Sequence, residues 1–239
     1  MNAPLGRIRD GVHAEVAHDS AVGHVTGRAR YLDDLPAPPG MLEAALVLSP
    51  HPHAQIGRID FARALEAPGA VAAVSAADIP GRNDIAPIRK DEPLLPPKLV
   101  EYEGQPVAAI CAVTLDQARA AAKLVDIDYE PLAATFTVED AIANDHFVCP
   151  TQTITRGDVA GALAFAPHRM VGEVRTGGQD HFYLEGQIAL AIPGEDGDML
   201  VLASTQHPTE VQHAVAGLLK LPMSAVTVEV RRMGGAFGG

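Results

Sequence analysis

Residues 102–130 constrain the fold most. Gly104-Gln105 leads into PVAAICAV at residues 106–113, an apolar run whose first residue is proline, a position where a strand tolerates the missing N–H. Thr114 stands where a helix N-cap is wanted, with Gln117 three residues on as in a capping box. LDQARAAAKL is rich in strong helix formers. Leu115, Ala118, Ala122 and Val125 mark the face this helix is expected to bury. Val125, Ile127 and Tyr129 then alternate with Asp126, Asp128 and Glu130, the period of a half-buried strand. The three acids share their spacing with a metal ladder, but a solvent face is the expected reading.

Upstream, short apolar runs separated by turn residues repeat the theme. MLEAALVL at 41–48, residues 56–60 and residues 70–76 are expected strands, with a helical turn or two over 61–67. In residues 20–34, Gly23 and Gly27 are expected to break any helix, and Tyr31-Leu32 to enter a short strand. His51-Pro52-His53 has no third ligand nearby and is read as a surface loop. Residues 82–98, with four prolines, are read as a long loop. Strand, helix and strand in this order point to an α+β or α/β unit.

Beyond Pro131 the pattern changes. Residues 131–167 contain few long apolar runs and read as a linker, with a short helix at 158–165. Residues 169–175 are expected to form a strand, residues 188–192 and 199–203 an antiparallel pair joined by PGEDGD. Pro208 suits the first turn of a helix in which Val211, Val215, Leu218 and Leu219 form one apolar stripe. Val226, Val228 and Val230 then alternate with polar residues and deliver the chain to its last loop. The expected organisation is an arm at 1–17, a first domain at 18–131, a linker at 132–155 and a second domain from 156 to 239.

A chain of 239 residues can bury a sizeable core. Its formal net charge of −12 disfavours nucleic acid as a partner, since phosphate binding needs clustered Lys and Arg. No apolar run approaches a membrane span, and MNAPLGRIRD lacks the apolar core of a signal peptide. A cytoplasmic location follows as the default. Cys111 and Cys149 are far apart and lack C-x-x-C neighbours, so buried free thiols are expected rather than a zinc or iron–sulfur framework.

Two glycine-rich segments carry the chemistry: GGQDHFYLEGQ at 177–187 and RMGGAFGG at 232–239. Glycines let a backbone approach a ligand closely, and successive N–H groups in such a turn can converge on an anion or an oxo group. Gln179 offers an uncharged amide that donates and accepts. The second segment lacks both the Gly-Lys-Ser/Thr ending of a phosphate loop and the G-x-G-x-x-G dinucleotide pattern. Asp180, His181 and Glu185 are open to reading as an acid–base or metal cluster. With His181, Tyr183 and Glu185 on one face of an extended segment, hydrogen-bonded scaffold is the preferred reading. Gln206-His207 is a polar strand end, with a place in a cofactor cavity as the alternative. Nothing matches the G-x-S-x-G nucleophile elbow.

Together these segments resemble the molybdenum-binding subunits of the xanthine dehydrogenase and aldehyde oxidase family. The resemblance implies an α+β fold, a hammerhead-type α/β domain followed by the start of a molybdopterin-binding domain. It implies that Gln179 lies beside molybdenum and that Phe237 and Gly238 bring backbone groups to the same centre. It implies hydroxylation of xanthine or hypoxanthine, with water as oxygen source and electrons leaving through 2Fe-2S clusters and FAD on a partner subunit to NAD, in a hetero-oligomer. The sister substrates, aldehydes and other N-heterocycles, remain open, as does a non-catalytic scaffold or assembly module.

In the family, a Lys-Glu pair, a substrate-binding Arg, aromatic clamps and a catalytic Glu follow the second glycine loop. None is present in these 239 residues, so no catalytic residue is assigned. The expectation is a fragment, inactive alone and poorly soluble because apolar surface and strand edges stay open.

Overall fold

The computed structural model describes residues 17–238. The arm expected at 1–17 lies, apart from Ala17, outside the described residues, and so does Gly239. Helix α1 (Ala21–Val25) comes first, then a 3-10 turn at Leu32–Asp34. Both correct the sequence expectation. Gly23 sits inside a helix of little more than one turn, and the break comes only at Gly27, whose φ is +69°. There the amides of Arg28 and Ala29 both fold back onto the carbonyl of Gly23, at 2.9 and 3.0 Å, and close the helix end.

Next come β1 (Glu43–Leu48), β2 (Ala54–Asp60), helix α2 (Ala62–Leu65), β3 (Ala70–Ser75), β4 (Leu99–Val100), β5 (Pro106–Ala112), helix α3 (Leu115–Ala122) and β6 (Asp126–Pro131). They make two antiparallel sheets, in orders β1-β5-β3 and β4-β2-β6. The core gathers Val47, Ile56, Val100, Val107 and Ile110, with alanines between them. Those alanines matter: Ala118 and Ala121 of α3 are buried beside Ala108, Ala112 and Ala45 of the sheet, so small side chains let helix and strands approach closely.

The buried face of α3 is therefore centred on Ala118 and Ala121. Leu115 is turned outward at 37% exposure, and Val125 lies past the helix end. Half of the expected capping box forms. Thr114 Oγ1 accepts the Gln117 N–H at 3.3 Å, whereas the Gln117 side-chain oxygen is buried without a partner. The acids of β6 face solvent, and their cation is a side chain: Arg58 of β2 approaches Asp60 at 2.6 Å, Asp126 at 3.5 Å and Asp128 at 3.5 Å.

Helices α4 (Val138–Ala143) and α5 (Val159–Phe165) follow, each started by a side-chain cap. Thr137 Oγ1 accepts the Asp140 N–H at 3.0 Å, and Asp158 Oδ1 accepts the Gly161 N–H at 2.9 Å. The strand expected at 169–175 does not form. Met170 and Val171 are fully exposed, and among the described residues no neighbouring strand supplies a ladder for this stretch. The thiols are corrected too: Cys111 is half-buried, and Cys149 is exposed within reach of the Arg89 guanidinium.

The third sheet is built by β7 (Ala189–Pro193), β8 (Met199–Ala203), helix α6 (Pro208–Leu219) and β9 (Val226–Glu229). Strands β7 and β8 are antiparallel, β8 and β9 parallel, and α6 is the crossover that parallel pairing requires. Pro208 occupies the first turn, as expected. The apolar stripe is again centred on an alanine, Ala216, with Leu219 at its margin. The C-terminal end of α6 meets the first unit: the amides of Gly81 and Arg82 donate to the carbonyls of Leu218 and Gly217 at 2.8 and 2.9 Å.

Candidate functional site

Beyond β9 the chain passes Arg231 and Arg232 and turns back against the first glycine-rich segment. The junction is a short set of specific bonds. The Leu184 N–H donates to the Gly234 carbonyl at 3.1 Å. The Gly234 N–H donates to one Glu185 carboxylate oxygen at 3.2 Å. The other oxygen accepts the Leu32 N–H at 2.9 Å. One carboxylate thus ties together three stretches separated by 153 and 49 residues. Charge-assisted bonds of this kind are the stronger ones.

The glycines at this junction are explained by contact. A Cβ at Gly234 would run into the backbone nitrogen and Cβ of Glu185, and one at Gly235 would stand 2.6 Å from Tyr183 Cβ. Side chains at either position would push the two segments apart. Gly238 is a different case. Its φ of +88° is the left-handed region, and a Cβ there meets nothing within 4 Å.

Phe237 is brought onto the first segment. Its ring lies parallel to those of His181 and Tyr183, centroids 6.5 Å away in both cases, with interplanar angles of 2° and 9°. It remains 70% exposed. Gln179 is exposed, two residues before that stack, and among the described residues its side chain makes no hydrogen bond. Gly177 and Gly178 border open space.

Asp180, His181 and Glu185 are not brought into one cluster. Asp180 accepts the His181 N–H at 2.8 Å, His181 belongs to the ring stack, and Glu185 is engaged with two amides. This is the scaffold arrangement. His207 is the N-cap residue of α6 and is exposed, its N–H donating to Thr205 Oγ1 at 3.0 Å. Among the described residues no three His, Cys, Asp or Glu side chains gather as a metal site, the His51–His53 loop included.

Two partners in the junction carry no signal in the sequence. One is the Leu32 amide, a backbone group that Glu185 reaches across the whole chain. The other is Arg232, whose guanidinium donates to the Arg30 carbonyl at 3.3 Å while its Nε is buried without a partner.

Comparison with known proteins adds the following. Residues 26–133 match the family model described as aldehyde oxidase and xanthine dehydrogenase, a/b hammerhead domain, and residues 139–239 match the molybdopterin cofactor-binding domain. A xanthine dehydrogenase of Dictyostelium discoideum is 41% identical over 224 residues, 94% of this chain and 16% of that protein. Aldehyde oxidase 2 of Cavia porcellus is 41% identical over 233 residues, 97% of this chain and 17% of that protein. The solved aldehyde oxidoreductase of Desulfovibrio gigas superposes with a TM-score of 0.81 at 29% identity, covering 92% of this chain and 26% of that one. The chain spans about a sixth of the length of the curated relatives it matches.

Proposed function

The chain belongs to the aldehyde oxidase and xanthine dehydrogenase family of oxidoreductases, and from that membership we propose that it serves in a molybdenum hydroxylase oxidising hypoxanthine and xanthine to urate. Its described part is a hammerhead domain followed by a stretch of the molybdopterin-binding domain. The observation that carries the reading is the junction at Glu185, which holds residues 183–185 and 234–237 side by side.

The residues fit a molybdopterin. A bare metal ion has no set of protein ligands among the described residues. A metal borne by an organic group needs none, and calls instead for neutral donors and close backbone. Gln179 supplies the donor-acceptor amide, unengaged among the described residues. Phe237 and Gly238 lie exposed in a turn with positive φ at Gly238, and the Gly238 N–H, which donates to the Ala236 carbonyl, would have to turn outward to reach the group. When bound, the group supplies the two-electron oxidation chemistry. The protein's contribution is to orient it and the substrate and to stabilise developing charge.

We assign the 2Fe-2S clusters and FAD to a partner subunit that passes electrons to NAD in a cytoplasmic hetero-oligomer. Among the described residues no helix is long and apolar enough to cross a membrane. A second reading, oxidation of aldehydes or other N-heterocycles, draws on the aldehyde oxidase relative, as similar to this chain as the xanthine dehydrogenase.

The deciding experiment is turnover by the protein purified from its own host with the chains that accompany it, offered hypoxanthine, xanthine and benzaldehyde separately. Purine oxidation with NAD reduction is expected. Oxidation of the aldehyde alone would replace the purine reading with the second one. A purified protein devoid of molybdenum would overturn both and leave a scaffold.

A further inference from the structure

Behind the glycine junction lies a cavity of about 440 Å³ whose chemistry the cofactor reading does not use. Four arginines line it. Arg28 and Arg30 come from the stretch after α1, Arg231 and Arg232 from the stretch after β9. They are gathered in a chain whose net charge is −12. Among the described residues none of the four forms an ion pair.

The cavity also has two carboxylates, Glu185 and Glu229. Glu185 is already occupied by the Leu32 and Gly234 amides. Its hydrogen-bonding capacity is taken up there, so Glu229 is the carboxylate left free to bond the four guanidinium groups. Four positive charges against two negative ones leave the wall net positive, and an arrangement of this kind is stabilised by an oxyanion that several guanidinium forks can bind at once. The rest of the wall is apolar, formed by Tyr31, Leu32, Leu35, Leu202 and Ala203. Ser204 adds one hydroxyl.

We infer that this cavity is a binding site for a small organic oxyanion, a carboxylate or phosphate ester on an apolar body. The arginines take the charged group, and Tyr31 with the leucines takes the body. The volume falls within the usual range of small-molecule pockets, where a few polar groups orient a largely apolar ligand. Arg232 is fixed for this role by its bond to the Arg30 carbonyl. Arg30 and Arg231 have exposed side chains that make no hydrogen bond among the described residues, leaving their donors for a ligand. The site is separate from Gln179 and Phe237, and the inference does not rest on molybdenum chemistry.

The test is calorimetric titration of the protein purified from its own host, at low salt, with inorganic phosphate, phenyl phosphate and benzoate. Saturable one-to-one binding is expected, with at least one aromatic oxyanion tighter than inorganic phosphate. Preference for phenyl phosphate or for benzoate identifies which oxyanion the site takes. Arg30→Met and Arg231→Met should each weaken binding by about tenfold, and added salt should weaken it further. Should either variant fail to fold, phenylglyoxal modification of the unaltered chain gives the same answer. The tighter-binding ion should protect Arg30 and Arg231 and leave Arg58 reactive. No saturable binding, binding unchanged in both variants, or absence of selective protection would each overturn the inference.

Discussion

Two regions of the molecule are held in place in different ways. In residues 43–131, two sheets and α3 enclose a core in which Ile110, Val100 and Val107 are completely buried. In residues 169–187 no regular element forms, and Phe182 is as exposed as a side chain can be. That second stretch is positioned by a few named polar bonds at Glu185 and by the ring stack with Phe237. The difference separates scaffold from site. Burial sustains a framework, whereas the segment that carries Gln179 keeps its surface open and is located by hydrogen bonds instead.

Substitutions should reveal that contrast, beginning with the largest effect. Ile110→Ala should cost about 2–5 kcal/mol in denaturant unfolding, as expected for a filled core site, while Phe182→Ala should change it by no more than about 0.5 kcal/mol. Equal costs would erase the distinction. Gly234→Ala should cost about 1–3 kcal/mol through overlap with Glu185. Amide exchange at Leu184 should then speed up while β5 stays protected. Glu185→Gln keeps the shape but sets an amide nitrogen against an N–H, and should cost about 1–3 kcal/mol, with faster exchange at Leu32 and Gly234 together. Exchange at only one of them would reduce the three-way tie to a pair.

The smallest effect belongs to the surface of the framework. The Ala62 N–H that Asp60 accepts, aided by Arg58, holds its carboxyl below the usual carboxylate range. Its stabilising contribution is therefore complete above the ordinary aspartate range and is lost as pH falls through the depressed folded-state value. Asp60→Asn should lower the melting temperature at neutral pH, and the gap should close as acid is added. A gap that persists in acid would assign the loss to packing.

The framework was legible because its signals are local. Pro106 opening a strand, Thr114 capping α3 and the alternation through β6 each act within a few residues, and each appears where expected. The failures share the opposite cause. Residues 169–175 read as a strand running into the Gly-Gly-Gln turn, but a strand exists only with a neighbour, and among the described residues none pairs with them. The face of α3 shifted to Ala118 and Ala121 because close packing favours the smallest side chains over the largest apolar ones. At the site, the sequence shows the glycine segments and Glu185, yet not that Gly234 is small to admit Glu185, nor that the carboxylate reaches Leu32. Those facts depend on residues distant in the chain.

The most direct test of the central claim is the molybdenum content of the protein purified from its host, unaltered and as Gly234→Val, each with hydrogen exchange of the hammerhead domain recorded alongside. The account predicts stoichiometric molybdenum in the unaltered protein and severe loss in the variant, with β1–β6 equally protected in both. Full molybdenum content in the variant would contradict it, because the metal would then not depend on the junction of the two glycine segments.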